Sequence, residues 1–225
     1  MSKATKGSQF HLQNIVNRFP GVLDVALGLG KIEWVSPLAS DGYKEYQDAS
    51  FLTRLGISLS SVPLSSFWPN NGPVWDGLGK APSGELVLVE AKSHIPEIFS
   101  QCEATASVSI EQIETSLDDT KTALKAKPDR DWTKPFYQYA NRLAHAYFLN
   151  DLNKVPARLV FLHFVGDTAM GGPTTKAEWE AAIVILHEAL GITGHVPKYV
   201  QDVFVDVSEA DKGIYRPIQY TYERE

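Results

Sequence analysis

Helix-period and strand-period segments alternate along this 225-residue sequence, which predicts an α/β sandwich built around a mixed sheet. Two observations sharpen the expectation. Leu86-Val87-Leu88-Val89 and Arg158 to Val165 are nearly continuous apolar runs, the signature of strands buried on both faces. Val74 to Lys80 and Glu85 to His94 flank Ala81-Pro82-Ser83-Gly84, a tract of turn-forming residues, and so read as a hairpin.

The elements follow in order. Met1 to Ser8 is small and polar and is expected to fray. Phe10, Leu12, Ile15, Val16 and Phe19 recur at helical spacing until Pro20-Gly21. Val22 to Val35 is ambiguous between strand and helix, and its Gly28-Leu29-Gly30 reads as a turn. Ser40 or Asp41 can cap a helix that runs to Leu55 and stops at Gly56, with Tyr46, Ala49, Leu52 and Leu55 facing inward. A Ser-, Pro- and Asn-rich loop covers Ser58 to Pro73, with a short strand expected near Phe67-Trp68.

After the hairpin, helices are expected at about Ser109 to Ala126 and at Pro135 to Asn150, Pro135 suiting a first turn. The Arg158 to Val165 strand and a loop over Gly166 to Pro173 come next. Thr175 and Glu178 have capping-box spacing, opening a helix whose Trp179, Ala182, Ile183, Leu186 and Leu190 face inward. Val200 to Val207 is the last strand candidate. No internal repeat interrupts the series, and a single domain over 1–225 is expected.

A hydrophobic content of 44% and a charged content of 21% are those of a folded globular chain and exclude extended disorder. No apolar run is long enough to span a bilayer, and Lys3 and Lys6 are followed by no apolar segment of a secretory signal, so no membrane partner is expected. A lone Cys102 rules out an internal disulfide and fits a reducing cytoplasm. The net charge of −6 argues against indiscriminate coating of nucleic acid. It is unevenly spread: Glu85 to Asp119 holds eight acids and one base, whereas Thr120 to Arg158 holds eight bases and three acids. That reversal is compatible with an acidic metal pocket beside a basic surface, and equally with two solvated faces of opposite sign.

Side chains alternate along a strand, so Glu90, Lys92 and His94 share one side. If the turn centres near Pro82-Ser83, Asp76 falls opposite a position around 89 to 90. Two carboxylates and an ammonium then converge at the end of a buried hairpin, a costly arrangement unless a cation joins them. Oxygen ligands of this kind suit Mg²⁺, and an adjacent lysine can orient an attacking water or steady charge on phosphorus. His163 and His187 lie among apolar residues and read as structural; no zinc-spaced histidine pair, Gly-x-Ser-x-Gly or phosphate-binding loop occurs.

Asp76 in Pro73-Val74-Trp75-Asp76-Gly77, then thirteen residues, then Glu90-Ala91-Lys92 closing an apolar strand, resembles the PD-(D/E)XK nuclease superfamily. The resemblance covers about residues 40–165 and implies a restriction-endonuclease-like α/β/α sandwich with a central mixed β-sheet. It implies that Asp76, Glu90 and the Ala91 carbonyl hold Mg²⁺, with Mn²⁺ able to substitute, and that Lys92 serves catalysis. It also implies that Glu45, on a helix before the hairpin, assists through metal or water. Gln138 and Arg142 look like the family's substrate-facing helix residues; His94, on the face of Lys92, is a candidate substrate contact, the alternative being a strand-end histidine bonded to backbone. The implied partner is nucleic acid, DNA before RNA, and such enzymes often act as homodimers. The Glu-x-Lys string alone is weak, since Asp119-Thr120-Lys121 matches it too, but that decoy lies in a helical pattern. The rival readings are a catalytically inactive module of the same fold, binding nucleic acid or protein, and a carboxylate-pair glycosidase with no use for Lys92.

Overall fold

Continuous apolar strands need cover on both faces, and the computed structural model, which describes residues 3–171 and 174–218, supplies it. The sheet runs from edge to edge through β1 (Glu33–Ser36), β2 (Gly77–Lys80), β3 (Leu86–Lys92), β4 (Ala157–Val165) and β5 (Val200–Asp206). β1, β2 and β3 are antiparallel neighbours, while β3 with β4 and β4 with β5 are parallel. The sheet is therefore mixed, and the two longest apolar runs lie inside it.

The helices are α1 (Gly7–Arg18), α2 (Gly21–Leu27), α3 (Asp48–Arg54), α4 (Leu64–Phe67), α5 (Ser107–Leu124), α6 (Tyr137–Tyr147), α7 (Lys176–Leu190) and α8 (Val207–Ala210). α1, α2 and α8 bury Leu12, Ile15, Leu23 and Ala210 against Val87, Val89, Ala91, Val160, Leu162 and Phe164. α3 to α7 bury Phe51, Phe67, Leu117, Leu143 and Leu186 with Leu78, Leu86, Leu88, Leu159 and Phe161. Successive residues of β3 thus feed two different cores, as a period of two requires. Gly77 makes the first core possible beside the hairpin. A Cβ there would sit 3.2 Å from the Val89 Cβ and 3.3 Å from Leu12 Cδ2, so glycine lets α1 close on the strands.

Several elements differ from expectation. The helix from Ser40 to Leu55 is not formed as one piece. Ala39–Asp41 makes a single 3-10 turn closed by Gly42 at φ +60°, and Glu45 to Gln47 are outside any helix. Tyr46 is buried and its carbonyl accepts from the Trp75 amide at 3.0 Å, a tertiary pairing that overrides the local cap. Only α3 remains helical, capped reciprocally by Gln47 and Ser50. Phe67 ends the short α4 rather than a strand. The ambiguous Val22 to Val35 stretch divides into α2 and β1, joined through the Gly28 to Gly30 turn. Met170 packs against Gly7, and the Ala4 amide bonds Gln13 Oε1, so the N-terminal segment is tied down from Ala4, with Gly7 and Ser8 helical. The hairpin, the Thr175 capping box and β5 lie where expected, except that the first hairpin strand starts three residues late, at Gly77. Of the loop at 166–173, residues 172 and 173 lie outside the described residues, as do 1, 2 and 219–225.

Candidate active site

The hairpin register assembles the site. Gly77 pairs with Val89 and Leu78 with Leu88, so continuing by one residue sets Asp76 opposite Glu90. Leu78 and Leu88 face α3 to α7, hence Asp76, Glu90 and Lys92, two and four residues along, project to that same side. The Asp76 carboxylate is held from behind: its Oδ2 accepts from the Ala91 amide at 2.8 Å.

α6 supplies the opposite wall. The Ser100 hydroxyl accepts from the Gln138 amide at 2.8 Å, and the Ser100 carbonyl from the Tyr137 amide at 3.2 Å, which ties the helix start to the chain after β3. Gln138 Oε1 then accepts from Lys92 Nζ at 2.9 Å. One turn on, Arg142 grips Glu90 through Nε at 2.7 Å and Nη2 at 2.5 Å to the same Oε2. Its other donors reach the Asn141 side chain and the Val74 carbonyl, both at 2.8 Å. Lys92 Nζ lies 2.6 Å from Glu90 Oε1. Both oxygens of Glu90 are therefore met by cations.

Three acids face two bases here, and the surplus negative charge shows in the protonation of the group with least compensation. Burial and the Glu90 carboxylate push Asp76 up to about 8, against the pull of Lys92 and the Ala91 amide. Burial also acts on Glu90, but the Arg142 guanidinium and Lys92 ammonium outweigh it and hold that carboxyl below the usual range. Lys92 would be lowered by burial, yet Glu90 and Asp76 raise it overall, so it is firmly an ammonium. Glu45 is raised by burial and by Glu90, despite its hydrogen bond from Gln9 Nε2 at 2.6 Å.

Asp76, Glu90, Ala91, Lys92, Gln138 and Arg142 all line one cleft of about 860 Å³, bounded by the Pro69 to Val74 loop, the chain from Phe99 to Ala106, and α6. Glu90 is only 3% exposed, whereas the Lys92 side chain keeps 13%, so Lys92 is the charged group nearer the opening.

The other expected residues fare differently. Glu45 feels the charges of Asp76 and Glu90 but comes from the extended segment before α3, not from a helix, and is bonded to α1. Arg142 is on α6 as expected, but it is buried and its donors are spent inside the protein. His94 turns to Glu97, whose other oxygen takes the Ser8 hydroxyl, and does not line the cleft. Of the lysines and arginines in the basic stretch from Lys121 to Arg142, expected near a nucleic-acid backbone, only Arg142 lines the cleft; Lys121 pairs with Asp118, and Lys127 and Arg130 with Glu188. The decoy Asp119-Thr120-Lys121 lies within α5, off the sheet. His163 bonds Asp202 and His187 bonds the Tyr139 hydroxyl, structural roles both, although His163 Nδ1 is buried with no partner. Sequence reasoning missed Gln9, Ser100 and Asn141. Gln9 and Ser100 act through contacts across tens of residues, which no local pattern marks, and Asn141 acts on the adjacent Arg142, whose own partner is distant.

Among the described residues no group of three or more His, Cys, Asp or Glu side chains could hold a metal ion as arranged, which leaves Glu45 outside any carboxylate trio. The pair Asp76 and Glu90 with the Ala91 carbonyl is a smaller oxygen set. It fits an ion that keeps most of its waters, and the negative charge Asp76 would carry beside Glu90 once deprotonated is what such an ion would offset. Among the described residues no helix is long and apolar enough to cross a membrane. Compared with known proteins, the chain matches no family model, no curated protein and no solved structure.

Proposed function

We propose that this protein is a Mg²⁺-dependent nuclease hydrolysing phosphodiester bonds of nucleic acid, DNA before RNA, in a cytoplasmic setting, on a restriction-endonuclease-like variant of the α/β fold. The observation that carries the reading is the convergence of Asp76, Glu90 and Lys92 on one face of the hairpin end, lining a single cleft. Asp76, Glu90 and the Ala91 carbonyl would hold Mg²⁺ or Mn²⁺, which supplies positive charge at the phosphate and lowers the pKa of bound water.

The protein's own groups divide the remaining work. Asp76, held protonated beside Glu90, would bind such a cation as the carboxylate, its carboxyl proton passing to solvent. Lys92 Nζ, steadied by Gln138 Oε1, is placed to donate toward the negative charge that develops on phosphorus. Arg142 stays on Glu90 Oε2 and keeps that carboxylate oriented. Glu45, held by Gln9, adds negative charge beside Asp76 and Glu90 and makes binding of an anion without a cation unfavourable.

Plasmid and single-stranded DNA incubated with the protein in Mg²⁺ or Mn²⁺ should be cut. Asp76→Ala and Lys92→Ala should each lose activity by about a hundredfold or more, comparable to removing a preorganised transition-state donor. Cleavage unchanged in both variants would overturn the assignment. One observation favours the second reading, a catalytically inactive module: both oxygens of Glu90 are already engaged by Lys92 and Arg142. Calorimetric titration with Mn²⁺ separates the two, since an inactive scaffold of this kind gives no heat that depends on Asp76.

A further inference from the structure

A nuclease cleft that grips duplex DNA neutralises several phosphates with lysine or arginine. This cleft does not. Among the described residues lining it, the only lysine or arginine side chains are Lys92 and Arg142, and both are paired to Glu90. The acids Asp76, Glu90 and Glu103 line it as well. Backbone neutralisation can therefore contribute little affinity here, and contacts to bases must contribute more.

The rest of the lining suits that demand. Asn70, Asn71 and Gln101 place side-chain amides along the walls, groups that can both donate to and accept from base edges, while the amide oxygens of Gln138 and Asn141 are taken by Lys92 and Arg142. At the rim stands Phe99, 58% exposed, a large apolar ring that the fold leaves in water. It is not loose. Its ring stacks on Phe136 with centroids 5.4 Å apart and planes 30° apart, and Phe136 is itself buried and bridged to Ser100. One face of Phe99 is thus supported from behind, a few residues after Lys92 in the chain and on the same cleft. A rigid, outward aromatic ring costs little entropy to use, and it stacks on a base only if that base is unpaired.

We propose that Phe99 is a stacking platform for an unpaired nucleobase, and that the cleft takes single-stranded nucleic acid rather than intact duplex. The proposal rests on the nuclease reading and narrows its substrate. The amide groups then meet the edges of neighbouring bases, while Lys92 is left for the scissile phosphate.

The test is fluorescence anisotropy with a labelled twelve-nucleotide single strand, as DNA and as RNA, and the matching blunt DNA duplex, using Ca²⁺ in place of Mg²⁺ so that nothing is cut. Wild type should bind a single strand more tightly than the duplex. Phe99→Ala should weaken single-strand binding by about tenfold, Phe99→Trp should restore it, and duplex binding should stay constant. The DNA and RNA arms show which sugar the cleft prefers. Equal single-strand affinity for wild type and Phe99→Ala, including the case in which Phe99 serves a protein partner, overturns the platform. So does a parallel loss on duplex. If wild type still cleaves in Mg²⁺ in those cases, the platform falls alone; if wild type neither binds nor cuts any nucleic acid, the nuclease reading falls with it.

Discussion

Arg142 and His145 lie one turn apart on α6, both almost fully buried, and they solve opposite problems. For the Arg142 guanidinium the fold compensates burial with a carboxylate, an amide oxygen and a backbone carbonyl. His145 gives its charge up. It sits among Phe51, Phe67, Trp68 and Trp75, with one ring nitrogen on the Asn141 carbonyl at 2.9 Å, and burial pushes it down to about 3. Trp75 touches both, its ring 5.0 Å from the Arg142 guanidinium and 6.3 Å from the His145 ring. The same helix face therefore changes from apolar to ionic within a single turn. What decides the change is Glu90 arriving from β3. Charge survives burial only where a counter-charge is built in with it.

The strongest break in the comparison is Arg142→Met. It leaves the Glu90 carboxylate buried with Lys92 as its one cation, and unfolding in denaturant should show a loss of about 3–5 kcal/mol, measured with a chelator present. A loss below about 1 kcal/mol would mean that Glu90 rests on solvent rather than on Arg142. The next step sharpens the point. Glu90→Leu combined with Arg142→Met removes both charges, and replacing a whole buried pair by apolar groups is often close to neutral. The double variant should regain about 3 kcal/mol over Arg142→Met alone while remaining inactive on DNA. Recovery of stability without recovery of cleavage would separate what the pair does for the fold from what Glu90 does for chemistry.

How much of this could be read in one chain follows the same division. Asp76, Glu90 and Lys92 were accessible because a tight hairpin turns residue counting into spatial register, and a period of two then assigns the face. The apolar runs located β3 and β4 for a similar reason. Glu45 was placed on the wrong kind of element because Ser40, Asp41 and Gly56 are good helix signals, while the force that extends the chain at Tyr46 is Trp75, nearly thirty residues away. Arg142 was read toward substrate since an arginine beside a glutamine on a helix gives no sign of which carboxylate it will meet. Lys121, Lys127, Arg130 and Lys134 likewise spend their charge on Asp118, Asp131 and Glu188. Pairwise contacts at long separation carry no local pattern, and the parts of the site that depend on them were hidden.

His145 gives the smallest effect and the cleanest sign. Its proton affinity is ordinary in the unfolded chain, near 6.5, and depressed in the folded one. As pH falls below about 6.5 the unfolded state takes up a proton that the folded state refuses until about 3, so stability drops across that window and is fully present above it. Between pH 7 and pH 5 this one group should cost about 2 kcal/mol by linkage. Other groups titrate over the same range, which is why the measurement is a difference. Denaturant unfolding of wild type and His145→Phe at pH 7, 6 and 5 should give lines that converge on acidification, the variant losing less. Parallel lines for His145→Phe would mean that its ring is reached by water, and that the aromatic cage is not the dry counterpart of the ionic site it adjoins.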